Sequence, residues 1–298
     1  MERVAVIIPV YNDASRLDLC LRALSEQSYP QSSLTVYVVD NNSTEDIMSV
    51  VKNYGFAKYL LEECPGSYSA RNQALSNLTD EEYVGFTDSD CIPSQDWVAN
   101  AVNKLRCHPL SAVGGRITVF PASGGAPSTA EQYEMLFGFP QKTYVESDKF
   151  AVTANLFTTR QVIALVGDFS TELYSGGDAE YGNRMFQAGV TLRFAEDVLV
   201  EHPARTSIKQ LTRKIRRTAG GCYQQRNSNP TMANSFSWTS LAKGFLPPVK
   251  AWVHLSKASQ LTILTRLKLG LLALLLKYSK STIKLAYRLQ LINTFDRF

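Results

Sequence analysis

Three apolar segments in the first 90 residues each run directly into polar side chains, and this pattern constrains the fold more strongly than any other feature of the chain. The segments and the polar residues that follow them are 4–10 with Asn12, 34–39 with Asp40, and 83–86 with Asp88. Apolar runs of this length, rich in Val and Ile, are typical of buried strands. The sequence therefore predicts three strands that each end in a side chain able to bind a ligand.

Apolar residues at helical spacing separate the first two predicted strands. They are Leu17, Cys20, Leu21 and Leu24, and Asp13 or Ser15 can cap the helix that carries them. A strand, a helix and a strand in succession predict a mostly parallel sheet flanked by helices, which is an α/β fold. Open sheets of this kind bind ligands beyond the carboxyl ends of their strands. We therefore expect Asn12, Asp40 and Asp88 to lie near one site.

Two carboxylates, Asp88 and Asp90, follow the third strand with only Ser89 between them. Beside a turn they can converge on one hard divalent cation, because Mg²⁺ and Mn²⁺ favour oxygen ligands. A cation held by few protein ligands keeps positions for phosphate oxygens and can neutralise a departing phosphate. By itself an Asp-x-Asp triplet is a weak signal, since such triplets also occur by chance in solvated turns.

The order of four motifs makes the signal specific. They are Pro-Val-Tyr-Asn at 9–12, Val-Val-Asp-Asn-Asn-Ser-Thr-Glu-Asp at 38–46, Ala-Arg-Asn at 70–72, and Phe-Thr-Asp-Ser-Asp-Cys-Ile-Pro at 86–93. In order and spacing they resemble the family 2 inverting glycosyltransferases of the GT-A fold, over about residues 1–220. The resemblance implies a catalytic domain over 1–220 that binds a nucleotide sugar, followed by a helical, basic region over 221–298.

The resemblance also assigns donor-binding roles. It implies that Asp40 contacts uracil, that Pro9 and Tyr11 frame the base, and that Arg71 holds the nucleotide. Asp88 and Ser89 belong with the donor as well. Asn155 matches a family position near the donor sugar; its alternative role is that of a turn-forming residue. A surface salt bridge is the alternative for Arg71.

A glycine pair precedes an acidic helix start at 176–180, where Asp178 and Glu180 follow Gly177. The family usually has Glu-Asp here, with the Asp as the base that deprotonates the acceptor hydroxyl. The resemblance therefore implies Asp178 as the catalytic base and Glu180 as the second choice, whereas Gly177 departs from the pattern. The alternative is a structural role, in which Asp178 caps the N-terminus of the helix, a position that Asp favours.

A predicted strand at 195–203 ends in His202. Its position makes it a candidate metal ligand beside Asp90 and Asp88, as in some relatives, although a lone His is more often a structural residue. The expected cofactor is Mn²⁺ or Mg²⁺. Farther along, Gln210 and Arg213 resemble a motif of processive polysaccharide synthases, but Lys214 replaces its Trp. This difference favours transfer of a single sugar.

Charge divides the chain sharply. Residues 1–203 hold 14 Lys/Arg and 26 Asp/Glu, whereas residues 204–298 hold 17 Lys/Arg and one acid, Asp296. Residues 259–291 are rich in leucine with basic residues interspersed, and the longest uncharged run there, 269–276, is too short to span a bilayer. This pattern favours basic amphipathic helices on an anionic membrane surface. The alternatives are core packing, a homodimer contact and a nucleic-acid site; the density of leucine disfavours nucleic acid.

Five widely spaced cysteines without a Cys-x-x-Cys pair, and no signal peptide, indicate a cytoplasmic protein associated peripherally with the membrane. The predicted function is metal-dependent, inverting transfer of one sugar from a nucleotide sugar, in our interpretation a UDP-sugar, to a hydroxyl of a lipid-linked or polysaccharide precursor. The rivals are a sugar-nucleotide pyrophosphorylase, an NAD-binding enzyme and a membrane scaffold with a decayed site. The residues after the first strand contain no glycine, which disfavours the first two.

Overall fold

A computed structural model describes residues 2–173, 175–227 and 229–292. Tyr174, Ser228 and residues 293–298, which belong to segments discussed above, lie outside the described residues. The strands are β1 Val4–Val10, β2 Leu34–Asp40, β3 Ala57–Leu61, β4 Tyr83–Phe86, β5 Ile92–Pro93, β6 Ser111–Phe120, β7 Leu156–Thr159 and β8 Thr191–Pro203. The helices are α1 Ala14–Ser25, α2 Ile47–Val51, α3 Ser67–Leu75, α4 Trp97–Leu105, α5 Thr129–Phe137, α6 Gln141–Thr143, α7 Arg160–Val166, α8 Gly177–Gln187, α9 Ile208–Gln224, α10 Pro230–Asn234, α11 Trp238–Gly244, α12 Val249–Lys257 and α13 Ile263–Arg288.

The strands form one mixed sheet in the order β3-β2-β1-β4-β7-β6-β8-β5. Strand β1 pairs in parallel with β2 and β4, and β2 pairs in parallel with β3. Strand β7 is antiparallel to β4 and β6, and β5 is antiparallel to β8. The α/β fold is thus confirmed, and the first four strands pair with one another in parallel. Their carboxyl ends form the edge at which the predicted polar residues lie.

Both faces of the sheet are buried, as β1 illustrates. Val4, Val6 and Ile8 point into one apolar cluster, whereas Ala5 and Ile7 point into the other, as the two-residue period of a strand requires. The predicted apolar face of α1 packs into the first cluster. This packing fixes the loops after β1, β2 and β4 against a rigid sheet.

The chain divides into two compact units. The first, here called the sheet unit, comprises 1–118, 139–172 and 177–203, and the second, here called the helical unit, comprises 119–138, 173–176 and 204–298. The division at residue 220 that the sequence suggests stays a prediction.

The helical unit is organised around α13, which contacts α5, α9, α11 and α12. Its buried side includes Leu272 and Leu276, which pack with Ala130 and Leu211. Among the described residues, no helix has both the length and the apolarity needed to cross a membrane.

Candidate active site

Asp90 and His202 meet beyond the end of β4. The Nε2 atom of His202, near the end of β8, lies 3.6 Å from Oδ1 of Asp90. The buried thiol of Cys91 completes a cluster whose ligand atoms all lie within 4.8 Å of one another. This is the group of potential metal ligands that the described part of the chain brings together.

The chemistry of this cluster suits a hard or borderline divalent cation. Nδ1 of His202 lies 2.7 Å from the carbonyl oxygen of Pro203, and because a carbonyl can only accept, Nδ1 carries the proton. In the neutral imidazole Nε2 would then present its lone pair toward Asp90, the arrangement that orients a metal-binding histidine. Burial raises the pKa of the Cys91 thiol well above its ordinary value. Because Mg²⁺ and Mn²⁺ prefer oxygen and imidazole ligands to sulfur, the carboxylate and the imidazole are the ligands that fit.

Asp88 points elsewhere. Its Oδ1 accepts a 2.6 Å hydrogen bond from an Nη of Arg71, whose side chain is only 3% exposed. Arg71 lies in α3, where it is held at the sheet edge with Asp88. The two carboxylates that were expected to converge on one cation thus have different neighbours, and direct ligation by Asp88 stays a prediction.

A network around Asp13 was not found from the sequence. Its carboxylate accepts hydrogen bonds from Ser89 Oγ at 2.9 Å and from Arg16 Nε at 2.6 Å, and Arg16 also lies 3.6 Å from Asp90. The Asp13 side chain does not cap α1; instead the Ala14 amide donates to a carboxylate oxygen of Glu45. Only the closeness of Asp13 to the end of β1 hinted at this role.

Burial dominates the electrostatics of Asp90. It raises the pKa of this carboxyl, and Asp88 and Asp13 act in the same direction, whereas His202 and Arg16 oppose the shift. The site therefore concentrates negative charge in a partly desolvated place, as cation sites in proteins do.

Asp178 lies in the first turn of α8, where the helix dipole stabilises a negative charge. Its Oδ1 accepts a 3.0 Å hydrogen bond from Thr153 Oγ1. The aromatic ring of Tyr68 covers the preceding Gly177 so closely that an added Cβ would lie 2.5 Å from Tyr68 Cζ. The Tyr68 ring therefore occupies the space that a side chain at position 177 would need.

Tyr68 also lies close to Arg71. The guanidinium carbon of Arg71 lies 5.9 Å from the centre of the Tyr68 ring. The Tyr68 ring thus lies between the guanidinium of Arg71, which binds Asp88, and the start of α8, which carries Asp178. Sequence reasoning missed Tyr68 because nothing in the motif distinguishes it from its neighbours.

Glu180 is engaged with its own helix. Its carboxylate receives two hydrogen bonds from Arg184, from Nε at 2.6 Å and from an Nη at 3.0 Å. This pair spans one helical turn, a spacing at which opposite charges attract.

The predicted base-binding residues lie at the ends of β1 and β2. Asp40 is buried, and it accepts hydrogen bonds from Tyr59 Oη at 2.9 Å and from the Ser43 amide at 2.9 Å. Pro9 pairs with Val39 within the sheet, whereas Tyr11 just beyond the strand is 46% exposed. These three residues border one loop region, which fits a base-binding surface.

Asn155 occupies a structural position. It is fully buried, and its amide nitrogen donates to the carbonyls of Arg116 and Val198 while its oxygen accepts from Trp97 Nε1, all within 2.9 Å. These bonds use both donors of the amide group. A contact between Asn155 and the donor sugar stays a prediction, and the observed bonds do not require one.

The fold and this site define a GT-A-type glycosyltransferase. The family model of glycosyl transferase family 2 matches residues 5–165, and the chain belongs to that family. Glycosyltransferase AglE of Haloferax volcanii is 35% identical over 218 residues, which cover 72% of this chain and 71% of AglE. A Methanococcus voltae enzyme that transfers a diacetamido-dideoxyglucuronosyl group to dolichyl N-acetylglucosaminyl phosphate is 22% identical over 228 residues, 72% of this chain and 71% of the relative.

Two solved structures share the fold. The mannosyltransferase PcManGT of Pyrobaculum calidifontis, in complex with GDP-Man and Mn²⁺, superposes with a TM-score of 0.64 and 21% identity, over 95% of this chain and 87% of its own. Staphylococcus aureus TarS 1–349, in complex with UDP-GlcNAc, gives a TM-score of 0.58 and 18% identity over 99% and 94% of the two chains.

Proposed function

We propose that this glycosyltransferase moves a single sugar from a UDP-sugar to a hydroxyl group of a lipid-linked or polysaccharide precursor, with a divalent cation and with inversion at the anomeric carbon. The observation that carries the proposal is the 3.6 Å approach of Asp90 and His202, with the histidine tautomer set by Pro203. The family membership supplies the reaction class, and the residues at the sheet edge supply the roles.

Asp90 and His202 would hold the cation, which we propose to be Mn²⁺ or Mg²⁺. When bound, such an ion neutralises negative charge on the donor diphosphate and on the leaving group. The Mn²⁺ in the PcManGT complex supports this assignment. Arg16 and Asp13 keep Asp90 in place through the ion pairs described above, so that the ligand set is fixed before a donor arrives.

Asp178 acts as the base. Its carboxylate takes the proton of the acceptor hydroxyl as the new glycosidic bond forms, a contribution worth about 10²–10⁴-fold in rate. The hydrogen bond from Thr153 Oγ1 orients the carboxylate by one of its oxygens. Glu180 is the poorer choice because Arg184 holds both of its oxygens. A single displacement by a hydroxyl activated in this way inverts the anomeric centre.

The donor nucleotide is assigned to the ends of β1 and β2. Asp40, fixed by Tyr59 and Ser43, would accept a hydrogen bond from the uracil ring, and Tyr11 would cover the base. Arg71 is too buried to reach far into solvent, so it acts mainly by fixing Asp88 beside the diphosphate. The UDP-GlcNAc complex of TarS agrees with a uridine nucleotide, whereas the GDP-Man complex of PcManGT makes guanosine the alternative to test.

We further propose that the acceptor is carried at a membrane and that the protein associates with the cytoplasmic surface of that membrane. The Methanococcus voltae relative, whose name specifies a dolichyl phosphate acceptor, supports this proposal. The basic helical unit supports it independently.

The test is release of nucleoside diphosphate from a panel of UDP- and GDP-sugars with Mn²⁺ or Mg²⁺ and a lipid extract as the source of acceptor. We expect metal-dependent release from a UDP-sugar, lost in Asp178→Asn and in Asp90→Asn. Asp197→Asn is the matched control, because Asp197 pairs with Lys104 in an exposed ion pair on β8, and such pairs contribute little. Turnover by Asp178→Asn at the wild-type rate would refute the assignment of the base.

A further inference from the structure

Four leucines form an exposed row on α13. Leu264, Leu267, Leu271 and Leu275, here called the leucine stripe, are separated by three or four residues and therefore share one helix face. Their exposed fractions are 62%, 67%, 69% and 50%. Leu269, Leu272 and Leu276 on other faces of the same helix are buried. The stripe is thus additional to the side of α13 that packs within the helical unit.

Helix α12 contacts α13 and also exposes apolar side chains. Trp252 Nε1 donates a 3.2 Å hydrogen bond to the carbonyl of Gly270, which places α12 against the first half of α13. Val249 and Val253 on α12 are 59% and 47% exposed. Soluble proteins rarely expose large contiguous apolar patches without a partner, so this surface requires an explanation.

The charge of the helical unit indicates what kind of partner would cover these exposed apolar side chains. Its sequence contains no Asp or Glu from residue 204 to residue 292. Its two acids at 119–138, Glu131 and Glu134, are buried, and Glu134 is paired with Arg205 and Lys214. The described surface of this unit therefore exposes positive charge alone, including Lys250, which follows Val249 on α12, and Lys268, which follows Leu267 on α13.

We propose that the leucine stripe, with Val249 and Val253 of α12, inserts into the interface of an anionic lipid bilayer while the surrounding lysines and arginines bind lipid headgroups. This deepens the membrane association given under the proposed function but does not depend on transferase activity. Apolar side chains flanked by basic residues on a helix lying in the membrane plane are the features of interfacial binding. A second copy of the chain fits less well, because two such surfaces carry the same charge.

Vesicle flotation tests the proposal, with full-length protein and vesicles of phosphatidylcholine alone or mixed with phosphatidylglycerol. Leu267→Gln/Leu271→Gln removes the centre of the stripe. Leu61→Gln/Leu165→Gln is the matched control, because these two leucines are 46% and 53% exposed in the sheet unit. We expect at least a tenfold loss of binding for the stripe variant, since burial of each leucine contributes strongly, and no loss for the control.

Binding should also require phosphatidylglycerol and weaken as salt rises, because headgroup attraction is screened. Equal binding by the stripe variant and the wild type would overturn the proposal, as would an absence of binding to anionic vesicles. A dimer in solution that depends on Leu267 and Leu271, without vesicle binding, would assign the surface to a second copy instead. Circular dichroism of each variant separates these outcomes from unfolding, and none of the measurements requires turnover.

Discussion

Gly177→Ala offers a sharp test of how the acceptor side of the site is built. The added Cβ would lie 2.5 Å from Cζ and 2.6 Å from Cε2 of Tyr68. Carbon atoms in contact normally lie about 3.5–4.0 Å apart, so the ring or the start of α8 must move by about 1 Å. Gly177→Glu, which restores the residue usual in the family, adds the same Cβ and must meet the same ring.

The ring cannot move at low cost. Tyr68 stacks on Phe169 with ring centres 5.9 Å apart, and Phe169 stacks on Tyr181 at 4.1 Å. Overpacking of such a core costs about 1–3 kcal/mol. If the strain is relieved by a 1 Å shift of α8, Asp178 moves with it, and a misplacement of that size can reduce the rate by about 10²-fold.

Urea unfolding of a double-mutant cycle measures the effect. Alanine is intrinsically a better helix former than glycine by up to about 1 kcal/mol, so Gly177→Ala should destabilise the wild type yet be neutral or stabilising after Tyr68→Leu. The coupling free energy should be about 2 kcal/mol. Gly55→Ala is the control, because no atom lies within 4 Å of its added Cβ. Wild-type stability in Gly177→Ala would refute the reasoning.

Three further predictions follow from contacts in the two units. Asp90→Asn should weaken Mn²⁺ binding by about tenfold or more, because it removes the negative charge of one of the two proposed ligands. Titration calorimetry measures this affinity, and an unchanged affinity would place the ion elsewhere. Asp178→Asn should lower kcat by about 10²–10⁴-fold with little change in KM, because the proton acceptor acts only as the bond forms; a change in KM alone would give Asp178 a binding role. Glu134→Gln should cost about 2–3 kcal/mol of unfolding free energy, because Arg205 and a lysine lose their buried partner. Although burial acts to raise the pKa of Glu134, these two cations hold it below its ordinary 4.5. The ionised Glu134 side chain therefore stabilises the fold fully above pH 4.5, and this stabilisation is lost as the pH falls through the lowered pKa. Chemical denaturation from pH 7 to pH 3 should show this loss in the wild type but not in the variant.

The first half of the fold follows from the sequence because its strands are regular. Strand β1 and the apolar face of α1 have clear periodicity, and the polar residues at the strand ends lie where the parallel pairing places them. The antiparallel strands β6 and β7 gave no such signal. Their pairing depends on contacts between residues far apart in the sequence, which local patterns do not encode.

The site was predictable in its members but not in its contacts. Asp90 and His202 were expected together and do meet. Asp88, however, pairs with Arg71, because α3 buries that arginine at the sheet edge and an unpaired buried cation would be costly. Asp13 and Tyr68 went unrecognised because their importance arises only when β1, α3 and α8 come together.

The most direct test of the account is binding of UDP and of GDP, measured by calorimetry with and without Mn²⁺, for the wild type, Asp90→Asn and Asp178→Asn. The account predicts that the wild type and Asp178→Asn bind UDP with similar affinity only when Mn²⁺ is present, and that Asp90→Asn loses this dependence together with most of the affinity. Stronger binding of GDP would change the donor but keep the metal site. Equal binding of UDP with and without Mn²⁺, or wild-type behaviour of Asp90→Asn, would contradict the central claim that Asp90 and His202 hold the cation for a nucleotide sugar.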